Sequence, residues 1–248
     1  MNQMAFFQEI LNQKQKIIQG LGELVLKHSA DLAFITDPDG DRLALIDNKG
    51  KVIIEENTLV LCVEDFLKKT QLKKPVITNL STTAALDEVA KKYNCQVIRS
   101  AVGEINVVNE MKKHNAHIGG EGNGGVILTE SHLGRDAFVG AVIILDLLAS
   151  NKITMHEANQ KIPKYYMLKE KVEINPQINN HVISNRIKQA FNECKFDETD
   201  GIKVLDKHSW LHVRQSNTEP IIRVYIESKQ EEKLSEIFDK VKTIFNDS

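Results

Sequence analysis

Leu32-Ala33-Phe34-Ile35-Thr36-Asp37-Pro38-Asp39-Gly40-Asp41-Arg42-Leu43-Ala44-Leu45-Ile46 holds two apolar runs separated by an acidic loop. Short apolar runs bounded by Pro and Gly predict two strands joined at a tip. Asp37, Asp39 and Asp41 alternate across that tip. Three carboxylates this close repel one another unless a cation sits among them. Hard oxygen donors suit Mg²⁺ or a similar ion. Arg42 beside them is a permanent cation shaped for phosphate oxygens. A metal site and an arginine on one loop point to phosphoryl chemistry.

Outward from this hairpin, residues 1–30 read as helix. Phe6, Phe7, Ile10 and Leu11 recur at helical spacing, as do Leu21, Leu24 and Val25, with Gly20 and Gly22 as interruptions. After the turn Asp47-Asn48-Lys49-Gly50, residues 51–150 alternate strand and helix. Pro75–Asn79 reads as strand, and Ser81 or Thr82 is placed to cap a helix carrying Ala85, Leu86, Val89, Ala90 and Tyr93. Gln96-Val97-Ile98 is strand, Gly103 precedes a helix with Ile105, Val108 and Met111, and Val126-Ile127-Leu128 is strand again. The run Ala137–Ala149, broken by Asp146, is too short to span a bilayer and reads as a buried helix. Pro163 and its charged neighbours mark a linker. Beyond it come a strand near 166–174, a helix near 180–194, strands near 202–206, 209–214 and 221–227, and a helix with Leu234, Ile237, Phe238, Val241, Ile244 and Phe245 on one face.

The chain has 248 residues, 42% hydrophobic and 27% charged, which suits one large globular domain or two modest ones. A formal net charge of −2 gives no general pull toward nucleic acid or an anionic membrane. The three cysteines, Cys62, Cys95 and Cys194, have no metal or redox spacing and suit a reduced, cytoplasmic compartment. The N-terminus lacks the sustained apolar core of a signal peptide.

Three further stretches carry chemistry. Gly119-Gly120-Glu121-Gly122-Asn123-Gly124-Gly125 lets the backbone approach a ligand closely. Glu121 can accept hydroxyl hydrogen bonds and Asn123 can donate and accept, which suits a sugar. Neither a Walker loop nor a GxGxxG fingerprint fits this stretch. Arg214-Gln215-Ser216-Asn217-Thr218-Glu219-Pro220, with Arg223 beyond, offers two arginines, two hydroxyls and an amide around a turn, a cradle for phosphate. In His132-Leu133-Gly134-Arg135-Asp136, His132 and Arg135 are positioned to reach the ligand of Glu121. Two other readings of the acidic loop fit less well. An EF-hand needs glycine at the sixth position and a bidentate Glu where Asn48 stands. A haloacid-dehalogenase-type phosphatase expects Thr or Val in place of Asp41.

Together, DPDGDR, GGEGNGG and RQSNTEP followed by IIRVYIE resemble, in order and spacing, the signatures of the α-D-phosphohexomutase superfamily. With Val102–Val108, they look most like its phosphoglucosamine/phosphomannomutase branch. The resemblance covers the chain from about residue 21 onward. It implies an α/β fold: a remnant of the second mutase domain over 1–50, a βαβ sugar-binding domain with a mixed sheet over 51–160, and a small α+β C-terminal domain with an antiparallel sheet over 165–248. It also implies that Asp37, Asp39 and Asp41 hold Mg²⁺ and that Arg42 steadies the transferring phosphoryl group. Glu121, Asn123 and Arg135 would hold the sugar. Arg214, Ser216, Asn217, Thr218 and Arg223 would hold the phosphate that does not react.

The family moves a phosphoryl group between C1 and C6 through a bisphosphosugar. Its phosphoryl-carrying serine lies in a Ser-His-Asn-Pro context, and Ser29, Ser131 and Ser216 all lack that context. The expectation is therefore the C-terminal part of a mutase, inactive alone. Its partners would be a hexose phosphate and either an N-terminal half carrying the phosphoserine or another copy of the chain. The N-terminal apolar residues Phe6, Phe7 and Ile10 are expected to be mobile, repacked or buried against another chain. Many relatives place a basic residue where Ile105 and Asn106 stand, and Arg99, three residues before Val102, is a candidate substitute as proton shuttle. The rivals are a phosphosugar-binding module without chemistry, and a phosphatase with Asp37 as nucleophile.

Overall fold

A computed structural model describes residues 20–174, 179–216 and 221–246. The expectations for Phe6, Phe7 and Ile10, and for Asn217 and Thr218, lie outside these residues. Helix α1, described over 20–27, is followed by the hairpin of β1 (Leu32–Thr36) and β2 (Leu43–Asp47) and lies against the turn at Gly50. Gly22 lies within α1 and does not break it. A Cβ there would stand 2.3 Å from the Gly50 carbonyl oxygen, so the glycine serves a close approach of helix to turn. Thr36 pairs with Leu43, which puts the three aspartates at the hairpin tip.

The central unit comprises α2 (Glu56–Thr70), β3 (Val76–Asn79), α3 (Ala85–Lys92), β4 (Val97–Ser100), α4 (Glu104–His114), β5 (Ile118–Glu121), β6 (Gly125–Leu128), α5 (Ala137–Asn151) and α6 (Met155–Gln160). Its sheet order is β4-β3-β5-β6. β3 runs parallel to β4 and β5, and β6 returns antiparallel. Side chains alternate across a strand. Val76 and Val126 therefore join the core under α2 and α5, while their neighbours Ile77 and Ile127 meet Val107, Val108 and Met111 of α4.

Three local expectations are corrected here. α3 has no cap from Ser81 or Thr82, because those hydroxyls are committed to His212 and to Thr78, Asn79 and Gly122. Ile105 faces solvent, and Val107 takes its place in the core beside Val108. α5 is buried on one side only, since Phe138 (73%), Val142 (65%) and Leu145 (49%) stand exposed at helical spacing. Asp146 is the one charged residue of the run and is exposed, too sparse a signal for pattern alone to separate the two faces.

The C-terminal unit comprises β7 (Tyr166–Glu173), α7 (Asn180–Ala190), β8 (Lys195–Asp197), β9 (Ile202–Leu205), β10 (Ser209–Gln215), β11 (Ile221–Ser228) and α8 (Glu232–Asn246). Its antiparallel sheet has the order β7-β11-β10-β9-β8. The two faces of β10 have opposite uses. Leu211 and Val213 join Ile222, Val224 and Ile226 beneath α7 and α8. Trp210, His212 and Arg214 point the other way, opposite Glu227, Tyr225 and Arg223 of β11.

That polar face is wired to the loop after β3. Glu227 Oε2 accepts from the Ala84 amide at 2.8 Å and from Trp210 Nε1 at 2.6 Å. Buried Lys203 donates to the Leu80 carbonyl. His212 Nδ1 lies 2.8 Å from Ser81 Oγ and Nε2 lies 2.6 Å from the Asp200 carbonyl oxygen. A carbonyl can only accept, so Nε2 carries the proton and the neutral ring is satisfied on both nitrogens. Burial, with Lys203 and Arg214 nearby, pushes His212 down to about 4.

The unfolded chain takes up this proton near pH 6.5, before the folded one does. Acidification from about pH 6.5 to 4 is therefore expected to cost about 3 kcal/mol of stability through this group. Urea midpoints over that range should show the loss in the wild type and lack this component in His212→Asn.

Candidate active site

The metal-type loop is built by its own first residue. Asp37 Oδ1 accepts the Asp41 and Arg42 amides, both at 3.1 Å, and folds the tip back on the strand. Gly40 closes the turn at φ +70° and its carbonyl takes the Ala137 amide, which ties the tip to the start of α5. Asp37, Asp39 and Asp41 thereby offer oxygens within 4.8 Å of one another. Asp41 Oδ1 is buried with no hydrogen-bond partner among the described residues. Burial and neighbouring Asp37 push the Asp41 carboxyl above its ordinary value, a combination that a bound cation would reverse. Arg42 Nε stands 3.3 Å from Asp37 Oδ2 and 3.6 Å from Asp41 Oδ1. The orphaned oxygen and the all-oxygen donor set fit a hard divalent ion.

The glycine-rich stretch is the β5–β6 hairpin. It sits directly against the aspartate hairpin, with the Leu43 amide on the Gly124 carbonyl at 3.0 Å. Glu121 is buried at its rim. Oε1 accepts from Asn79 Nδ2 at 2.7 Å and from the Gly103 amide at 3.2 Å. Oε2 receives Arg135 Nη1 at 2.6 Å and Asn123 Nδ2 at 3.3 Å. Arg135 reaches further still, to Glu104 Oε2 through Nε at 3.0 Å and to Asp41 Oδ2 through Nη2.

These groups converge on a cavity of about 390 Å³. Its wall includes Arg42, Glu121, Asn123 and Arg135 from the first two layers, and Arg214 and Arg223 from the C-terminal sheet. Arg214 and Arg223 are directly opposite in register, and Arg214 Nε is buried without a hydrogen-bond partner among the described residues. Like charges placed directly opposite are unfavourable unless an anion lies between or above them. Ser216 follows at the end of β10, its amide on the Ile221 carbonyl at 2.9 Å.

The three aspartates and Ser216 do not line the wall themselves, and neither do two further expected residues. Arg99 does not line this cavity. It is spent on the carbonyls of Asn79, Thr82 and Thr83 and on Asp87, where it pins the loop after β3. His132 is exposed beside Asp136 and is likewise absent from the wall.

Other wall residues escaped sequence reasoning. Glu56, in the first turn of α2, is buried and pushed up to about 7 by burial, with Lys169 and the Thr83 amide pulling the other way. Lys169 on β7 pairs with Glu55 at 2.6 Å and Glu56 at 2.9 Å. It also approaches the Gly122 carbonyl at 3.4 Å. The alternation Tyr166–Glu173 was the available signal for Lys169, because its face is that of Tyr225.

Two family models match in succession. One is the phosphoglucomutase/phosphomannomutase α/β/α domain III over residues 55–166, and the other is the C-terminal domain of the same family over residues 168–244. The chain belongs to the phosphoglucomutase/phosphomannomutase family. A "Phosphoglucomutase/phosphomannomutase" of Thermococcus kodakarensis is 33% identical over 90% of this chain and 48% of its own length. A "Phosphoglucosamine/phosphogalactosamine mutase" of Sulfurisphaera tokodaii is 31% identical over 90% of this chain and 50% of its own length. A crystal structure of a phosphoglucomutase/phosphomannomutase family protein from Burkholderia thailandensis shares the fold, with a TM-score of 0.79 and 20% identity over 92% of this chain and 49% of that one. This chain thus spans about half the length of the curated relatives it matches. Among its described residues no helix is long and apolar enough to cross a membrane.

Proposed function

We propose that the chain is the sugar- and phosphate-holding part of a phosphosugar mutase of phosphoglucosamine or phosphomannose type. It would act in the transfer of a phosphoryl group between C1 and C6 of a hexose phosphate. The observation that carries this reading is the order of groups around one cavity. Arg42, which directly follows the metal-type aspartate loop, stands at one part of the wall, a carboxylate and amide for hydroxyls at another, and a registered arginine pair on the C-terminal sheet.

In this reading Arg214 and Arg223 hold the phosphate that does not react, with Ser216 and the following residues Asn217 and Thr218. Glu121 and Asn123 hold ring hydroxyls. Because C1 and C6 present themselves in turn, the sugar must bind in two orientations, and hydroxyl-binding groups tolerate that reversal better than a shaped apolar pocket. Asp37, Asp39 and Asp41 would hold Mg²⁺, which neutralises developing charge on the phosphoryl oxygens. Arg42 adds a second cation beside it. The chemistry rests on positioning and charge. The transferable phosphoryl group would come from a phosphoserine on a separate N-terminal half or on another copy, and the setting would be cytoplasmic.

A coupled mutase assay on glucosamine-6-phosphate and mannose-6-phosphate, with Mg²⁺ and a trace of bisphosphate, tests this. Activity is expected only when the chain is mixed with an N-terminal half carrying the serine. Robust turnover by the pure chain would contradict the division of labour. No turnover in either arm, with measurable sugar-phosphate binding, would leave a binding module.

A further inference from the structure

Arg135 is held by three carboxylates from three separate segments. Asp41 belongs to the hairpin tip, Glu121 to the glycine-rich hairpin, and Glu104 to the first turn of α4. Its side chain is 13% exposed, and its own amide also rests on Glu104 Oε1 at 3.3 Å. Nη2 takes Asp41 Oδ2, while the other oxygen of the same carboxylate is the buried orphan in the loop. One carboxylate thus gives one oxygen to the Arg135 guanidinium and keeps the other free of hydrogen bonds among the described residues, with only Arg42 Nε 3.6 Å away.

We propose that Arg135 is a positioning residue that acts as an internal counter-cation: it competes with the metal for Asp41 and thereby couples metal loading to the sugar loop. The inference rests on the reading of the aspartate loop as a metal site. A divalent ion at the loop repels the guanidinium and draws on the same charge. When the ion arrives, Arg135 loses hold of Asp41 and leans on Glu121 and Glu104. When a sugar engages Glu121, Arg135 turns more fully to Asp41. Linkage requires the ion to weaken sugar binding by the same factor as the sugar weakens ion binding. A scaffold role, in which Arg135 merely holds Asp41 in place for the ion, predicts the opposite sign.

The test is calorimetric titration of the full chain with Mn²⁺ alone, an ion that shares the preference for oxygen donors. Wild type, Asp41→Asn, Arg135→Met and Arg135→Lys are compared at one ionic strength. Asp41→Asn is expected to lose binding. Arg135→Met is expected to bind at least about tenfold more tightly than wild type, with Arg135→Lys between them, since an ammonium cannot span three carboxylates. Should Arg135→Met fail to fold, Arg135→Lys carries the comparison. Unchanged or weaker binding in the Arg135 variants, with Asp41→Asn silent, overturns the inference and leaves the metal site standing. Binding that survives Asp41→Asn overturns both.

Discussion

Glu227→Ala is expected to cost about 3–5 kcal/mol and to loosen the C-terminal sheet from the central unit. The carboxylate is 1% exposed and its Oε2 accepts two buried donors, the Ala84 amide and the Trp210 indole. Removing it orphans both donors, each costing about 1–3 kcal/mol when buried. It also removes the negative charge that steadies Lys203, whose ammonium burial already holds well below its ordinary lysine range. Glu227→Gln, which keeps an acceptor but not the charge, should fall between. Urea unfolding followed in parallel by far-ultraviolet circular dichroism and tryptophan emission checks this. In the wild type the two signals should fall together. In Glu227→Ala the emission should move first, because the junction opens before the helices melt. A loss under about 1 kcal/mol would show that the junction is held mainly by other contacts.

Gly120→Ala should be the most damaging of the small changes near the site. Gly120 lies at φ +151°, and a Cβ there would stand 2.1 Å from the Gly125 carbonyl oxygen and 2.9 Å from Leu59 Cδ1. The first obstacle is backbone of the paired strand, which cannot move aside without opening the hairpin. Backbone strain and overpacking add, so a loss of about 3 kcal/mol or more is expected. Gly40→Ala is the control. Gly40 also has positive φ, at +70°, but nothing lies within 4 Å of its added Cβ. Its cost should be about 1 kcal/mol. Comparable urea midpoints for the two variants would mean that the hairpin relaxes freely around Gly120.

Local pattern made the two hairpins legible. Alternating acids after an apolar run, and clustered glycines around Glu121, describe short-range geometry that the sequence carries by itself. The face of β10 was equally open to reading, since Trp210-Leu211-His212-Val213-Arg214 alternates polar and apolar positions along the strand. What lay hidden depends on which distant segment arrives. Arg99 looked like a cation free to act, yet the loop 79–83 folds over it and consumes its donors. Ser81 looked like a helix cap until His212, far along the chain, took its hydroxyl. Arg135 was legible as a neighbour of Glu121, whereas its arms to Asp41 and Glu104 exist only once three segments have met. Glu56 gave no signal alone, and for Lys169 the strand alternation gave only a face, because a charged residue near a helix start or on a strand is ordinary until its partner is known.

Trp210 is the chain's one tryptophan, and it stands at the junction with its indole N–H on Glu227 and the Lys203 ammonium 4.0 Å from its ring centre. The protein therefore carries a built-in optical probe in the place where the C-terminal sheet meets the central unit. Its emission needs no label and no deconvolution from other indoles. A ligand that tightens or tilts the C-terminal sheet over the cavity will report itself as a change in colour and quenching. One cuvette can then follow sugar-phosphate binding and sheet separation on the same sample.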